Sequence, residues 1–108
     1  MIGEIPVNMV ANAATPIHYR SFFKKDFFNT IQNIDMTQLD EAMDSISGIA
    51  FILNRQAEGV NIRDLQYDNY VKWMEQFGAM DFVNSAADII NFYMGTEETT
   101  SDAKKKPN

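Results

Sequence analysis

The sequence predicts a mainly α protein: a small bundle of about four helices, with a short N-terminal extended strand or arm and a disordered C-terminal tail. Three observations carry that prediction. Apolar residues recur at helical spacing through four segments between residues 15 and 94. Capping residues and glycines bound those segments. The strand-like alternation is confined to residues 4–14, and residues 96–108 contain no large apolar side chain. At 108 residues the chain fits one domain, read as residues 1–95 with the tail at 96–108.

Each element has its own signature. In EIPVNMVANAA, residues 4–14, Val7, Met9 and Ala11 fall on one side. A lone strand is unstable in water, so this arm must lie on its own domain or pair with another chain. Thr15-Pro16 opens the first helix, expected to run to about Ile34. Its stripe is Tyr19, Phe23, Phe27, Ile31 and Ile34, widened by Ile17 and Phe28, and Phe22 falls among polar residues and is expected to be exposed. Asp35-Met-Thr37-Gln38 gives a capping pattern for the second helix. There Leu39, Ala42, Met43, Ile46, Ile49, Ala50, Leu53 and Ala57 form a regular stripe, Phe51 and Ile52 lie off it, and Gly59 is the stop. Apolar residues nearly all round the far end of that helix predict a central position. A third helix is expected over 68–77, with Tyr67, Tyr70, Val71, Met74 and Phe77 on one face and a core Trp73 beside it, ended by Gly78. The fourth is expected over 80–94, ended by Gly95. It has two apolar faces: Phe82, Ala86, Ile89 and Tyr93 on one, and Val83, Ala87, Ile90 and Met94 on the other. Two such faces mean either burial between neighbours or a face left for a partner.

Charge narrows the partners. The net charge is −6 and unevenly placed: residues 35–95 hold three basic residues against ten acids. An acidic body argues against nucleic acid, whose phosphates demand cations, and against an anionic membrane surface. It fits either a solubilising surface or an acidic face that meets a basic partner. MIGEIPVNMV lacks the basic start and apolar run of a secretory signal. No stretch approaches the ~20 apolar residues of a membrane span. Cysteine is absent, which removes disulfides, thiolate metal sites and cysteine nucleophiles.

The inventory for catalysis is thin. His18 is the one histidine, at the first turn of the first helix, and reads as a surface or capping residue rather than a base. Neither a glycine-rich phosphate loop nor a nucleophile elbow is present. Asp40, Glu41 and Asp44 lie where acids favour a helix N-terminus and read as a solvated face rather than a cation site. The chain is therefore expected to be no enzyme, with no catalytic residue, cofactor or metal. Apolar surface carries more information, since aromatic residues and methionine are common at protein interfaces.

Residues 7–31, VNMVANAATPIHYRSFFKKDFFNTI, resemble the opening of tail assembly chaperones from long-tailed bacteriophages and prophages of Gram-positive bacteria. In that family an extended segment leads into a Thr-Pro helix start, a Tyr-Arg pair, a Phe, a basic-acidic pair and further apolar residues. Here these are Thr15-Pro16, Tyr19-Arg20, Phe23, Lys25-Asp26 and Phe27-Phe28. The order of later segments is similar too: Ile46–Ala57, then Tyr67–Phe77 around Trp73, then Met80–Met94. The resemblance covers about residues 7–95. It implies a mostly helical, non-enzymatic protein of the host cytoplasm that binds the tape measure protein, and tail tube subunits as a second partner. It also implies absence from the mature virion and a programmed frameshift, for which Lys104-Lys105-Lys106 is placed suitably. Weak self-association fits such a role. The partner surface is expected at Tyr19, Arg20, Phe22 and Phe23 on the first helix and at Val83, Ile90 and Met94 on the last. Two other readings stay open: an acidic DNA mimic that inhibits a host nucleic-acid-binding protein, and a small structural head–tail connector.

Overall fold

The computed structural model describes residues 2–99. Among them are six α-helices and one 3₁₀ turn: α1 (Thr15–Phe23), α2 (Phe27–Gln32), α3 (Leu39–Ala57), the 3₁₀ turn (Ile62–Asp64), α4 (Tyr67–Met74), α5 (Asp81–Asn84) and α6 (Ala86–Thr99). The mainly helical class expected from periodicity is the one observed. Among the described residues the extended backbone forms no ladder beyond one bridge, Ile2 with Ile5 around a turn at Gly3.

The arm follows its predicted alternation. Ile5, Val7, Met9 and Ala11 are half-buried, while Glu4, Pro6, Asn8 and Val10 are exposed. It lies on its own chain, held by the end of α3 rather than by a second strand. Val10 N donates to the Leu53 carbonyl (3.1 Å), the Asn54 amide donates to the Asn8 carbonyl (2.8 Å), and Gln56 Nε2 donates to the Val10 carbonyl (2.7 Å). Gln56 also reaches α1. Its Nε2 donates to Thr15 Oγ1 (3.0 Å), and its Oε1 accepts from His18 Nδ1 (2.7 Å). Thr15 is thus a buried residue inside α1 rather than its cap; Ala14 holds the cap position without a side-chain bond, and Asn12 closes the turn before it by accepting from Ala14 N (2.9 Å).

The expected first helix is two helices. Lys24 takes a left-handed conformation (φ 62°), and Asp26 starts the next helix by accepting from Asn29 N (2.7 Å). An aspartate that can cap competes with continued helix, and here the cap wins. The expected fourth helix is also divided, at Ser85, although the Ser85 and Ile89 amides still bond back four residues. Gly95 does not end α6, which stays helical to Thr99. Glycine lowers helix propensity by about 1 kcal/mol without forbidding the conformation. The expected disordered tail lies, over residues 100–108, outside the described residues.

The centre of the molecule is α3, as its apolar far end predicts. Ile46, Ile49, Ala50, Phe51, Ile52 and Leu53 are all buried. Helix α1 crosses α3 at Gly48, where a Cβ would stand 3.2 Å from the Phe23 ring and 3.5 Å from Tyr19. The missing side chain lets the rings lie against the helix backbone. Phe51 contacts the rings of Phe22, Tyr70 and Trp73 at centroid distances of 5.4, 5.2 and 5.3 Å, and Trp73 is buried as expected.

Two polar groups are satisfied inside this core. Asn54 Oδ1 accepts from Trp73 Nε1 (3.1 Å) and from the Arg55 guanidinium (2.6 Å). Ser47 Oγ donates to the Asp44 carbonyl, which leaves the Tyr70 hydroxyl to donate to Ser47. Burial pushes the Tyr70 hydroxyl up to about 12, and it raises Tyr19 as well. A raised folded value means that the folded state keeps a proton which the unfolded chain releases near its ordinary value of 10. The contribution is complete below that value and is lost as pH rises towards 12. The melting temperature is expected to fall over that interval, by an amount on the order of 2 kcal/mol in stability, and Tyr70→Phe is expected to flatten the fall. Thermal unfolding followed by circular dichroism at stepped pH checks both.

Candidate interaction surface

The two faces of the α5–α6 segment have different fates. Phe82, Ala86, Ile89 and Tyr93 are buried against the core. Among the described residues the other face is only partly covered. Val83 and Ile90 are half-buried, Ala87 is exposed, and Met94 is 45% exposed. Val83, Ala87 and Ile90 line one wall of an open groove of about 440 Å³. Ile31 and Ile34 from the region of α2, with Met36 in the loop that follows, line the other. Ile46 contributes from α3, and Asn84 and Asn91 are the polar groups of the lining. The start of α2 is set beside α6 by the Phe27 and Tyr93 rings, 5.1 Å apart. Phe28 and Met94, the next residues in the chain, lie outside the groove lining and are 51% and 45% exposed.

The first helix supplies less surface than the sequence suggests. Tyr19 is buried, its ring tilted against Phe23 (4.9 Å) and edge-on to Phe27 (5.4 Å). Phe22, expected to be exposed, is half-buried against Phe51, and Phe23 is half-buried between Tyr19 and Tyr70. Arg20 alone of these four is exposed. The reason is the break after Phe23. In a nine-residue helix Thr15, Tyr19, Phe22 and Phe23 form the inward face, whereas a stripe drawn on to Ile34 takes its direction partly from residues beyond the break. Ile17, placed in the expected stripe, is 68% exposed.

Comparison with family models, curated proteins and solved structures returns no match for this chain. The surface must therefore be read from its own chemistry. Its walls carry methyl and methylene groups and two amides, with no titratable side chain among them. Such a lining can exclude water from an apolar partner but offers no acid, base or nucleophile. Among the described residues no helix is long and apolar enough to cross a membrane. His18 is engaged with Gln56, and Asp44 lies opposite Lys25 at 3.8 Å.

Val83 and Ile90 are expected at a partner surface from the sequence, and the opposite wall is not. Ile31 and Ile34 belong to the stripe expected to enter the core, and nothing in the pattern singles out Met36. One signal bears on it: a second apolar face on the last helix needs either a cover or a facing wall, and Ile31, Ile34 and Met36 are apolar residues that α3 does not bury.

Proposed function

We propose that this chain is a tail assembly chaperone that binds the tape measure protein of a long-tailed phage in the host cytoplasm. It would act without catalysis and leave before the virion is complete. The observation that carries the reading is apolar surface left open: the groove between α2 and α6, together with the exposed Phe28 and Met94. The resemblance of residues 7–31 to the opening of such chaperones supports it independently. The physical logic is that a long helical tape measure exposes apolar surface until the tube encloses it. A small acidic protein that covers this surface keeps the complex soluble.

Co-expression tests the reading. The chain is expected to move the tape measure protein from pellet to supernatant and to co-purify with it, while mass spectrometry of purified virions detects none of it. Met94→Ser, on an exposed residue, is expected to weaken capture by about 1–2 kcal/mol, roughly tenfold in Kd. A tape measure protein that is equally soluble without this chain, or a chain found in virions, would sink the proposal.

A further inference from the structure

The segments that build the groove carry charge of one sign. Residues 31–46 hold Asp35, Asp40, Glu41 and Asp44 and no lysine or arginine, and residues 81–94 hold Asp81 and Asp88, again with no cation. Ile34 lines both this groove and the polar depression next to it, whose lining holds Asp35, Glu41 and Asp44 against the single cation Lys25, and on the other wall Asp88 follows Ala87 in the chain. Asp35 and Asp88 are both exposed. Among the described residues neither has a cation within 4.0 Å, the one ion pair being Lys25 with Asp44. An apolar floor with carboxylates beside it favours a ligand that brings apolar groups in the middle and cations at the sides. The walls themselves are residues at helical spacing, Val83, Ala87 and Ile90 against Ile31 and Ile34. A groove between two helices accepts a third helix by its ridge of side chains.

We propose that this groove receives an amphipathic helix of a partner protein whose apolar ridge is flanked by lysine and arginine. The inference rests on the reading above that the chain binds an apolar helical partner, and it specifies the chemistry of the bound segment. Two synthetic peptides of about 18 residues, roughly five helical turns, provide the probes. They share one leucine and alanine ridge and differ in flanking residues, lysine in one and glutamate in the other. Binding to the full chain is followed by nuclear magnetic resonance titration. The lysine peptide is expected to bind saturably, to shift the amides of residues 31–36 and 83–90, and to weaken several-fold as salt is raised. The glutamate peptide is expected to bind at least about tenfold more weakly. Ile90→Asp is expected to abolish binding, while Ile17→Asp, on the exposed side of α1, leaves it unchanged. The pair Asp35→Asn and Asp88→Asn keeps side-chain shape, including the acceptor that holds the Thr37 amide at 2.9 Å. It is expected to narrow the preference for lysine several-fold without lowering the melting temperature, which keeps the test valid should Ile90→Asp fail to fold.

Equal binding of the two peptides, no binding of the lysine peptide, or binding that survives Ile90→Asp in a folded chain overturns the proposal. So does a dimer that Ile90→Asp dissociates, which would give the groove to a second copy. So does a gain in peptide affinity on removing residues 100–108, which would give it to this chain's own lysine run. Tape measure capture that persists in folded Ile90→Asp sinks this inference and spares the chaperone reading. Peptide binding as expected, with no tape measure capture by the unaltered chain, does the reverse.

Discussion

Asn54→Ala is expected to lower stability by about 3 kcal/mol, a fall of roughly 15 °C in melting temperature. One side chain serves the core and the arm together. Its oxygen accepts from the Trp73 indole and from Arg55, and its amide holds the Asn8 carbonyl. Alanine leaves the indole N–H without an acceptor in a place that water does not reach, and an unmade buried hydrogen bond costs more than a made one contributes. Asn54→Asp separates the two duties. A carboxylate still accepts from Trp73 and Arg55 but cannot donate to Asn8, so its loss is expected to be about half as large. Trp73 is the single tryptophan, so its fluorescence during thermal unfolding reports the result directly. A melting temperature that stays within about 2 °C of the parent would show that another group takes over the indole.

Gly48→Leu is the second large effect. Alanine at this site places one carbon 3.2 Å from the Phe23 ring, close enough that the ring must give by a few tenths of an ångström. Against that stands the gain of about 1 kcal/mol from replacing glycine within a helix, so Gly48→Ala is expected to be nearly neutral. Leucine adds three more carbons in the same direction and forces α1 away from α3. The contacts of Tyr19, Phe22 and Phe23 with Phe27, Phe51 and Tyr70 then open together. Overpacking of this kind is expected to cost about 3 kcal/mol, read as a lower urea midpoint. A leucine variant as stable as the alanine variant would mean that α1 is not seated on this glycine.

What the chain discloses before folding depends on the range of the interaction. The α3 stripe, the alternation of the arm and the burial of Trp73 follow from local pattern, because the period of a helix or strand sorts residues by face wherever the element is continuous. The period does not fix depth: Leu39, at the very start of α3, is 45% exposed, and Tyr67 and Val71, expected on the apolar face of the third helix, are 62% and 39% exposed. The break at Lys24 is less legible. Tyr19, Phe23, Phe27 and Ile31 keep helical spacing across it, and only the capping ability of Asp26 marks it. That one break reorients Phe22 inward and sets Ile31 and Ile34 opposite Val83 and Ile90. The groove could not be read from either segment alone, since it exists only between segments about fifty residues apart.

The arm's attachment has a consequence for how the molecule comes apart. Residues 8 and 10 are tied to positions 46 residues further along the chain. Closing a loop of that length is only slightly more demanding than closing one half as long, because the entropy grows with the logarithm of length. The bonds at Asn8 and Val10 share this one closure. The first to form bears its entropy, and the others follow with little further loss of freedom. The arm thus behaves as a clasp with two states, fastened along its length or released along its length, and not as a ribbon that frays one residue at a time.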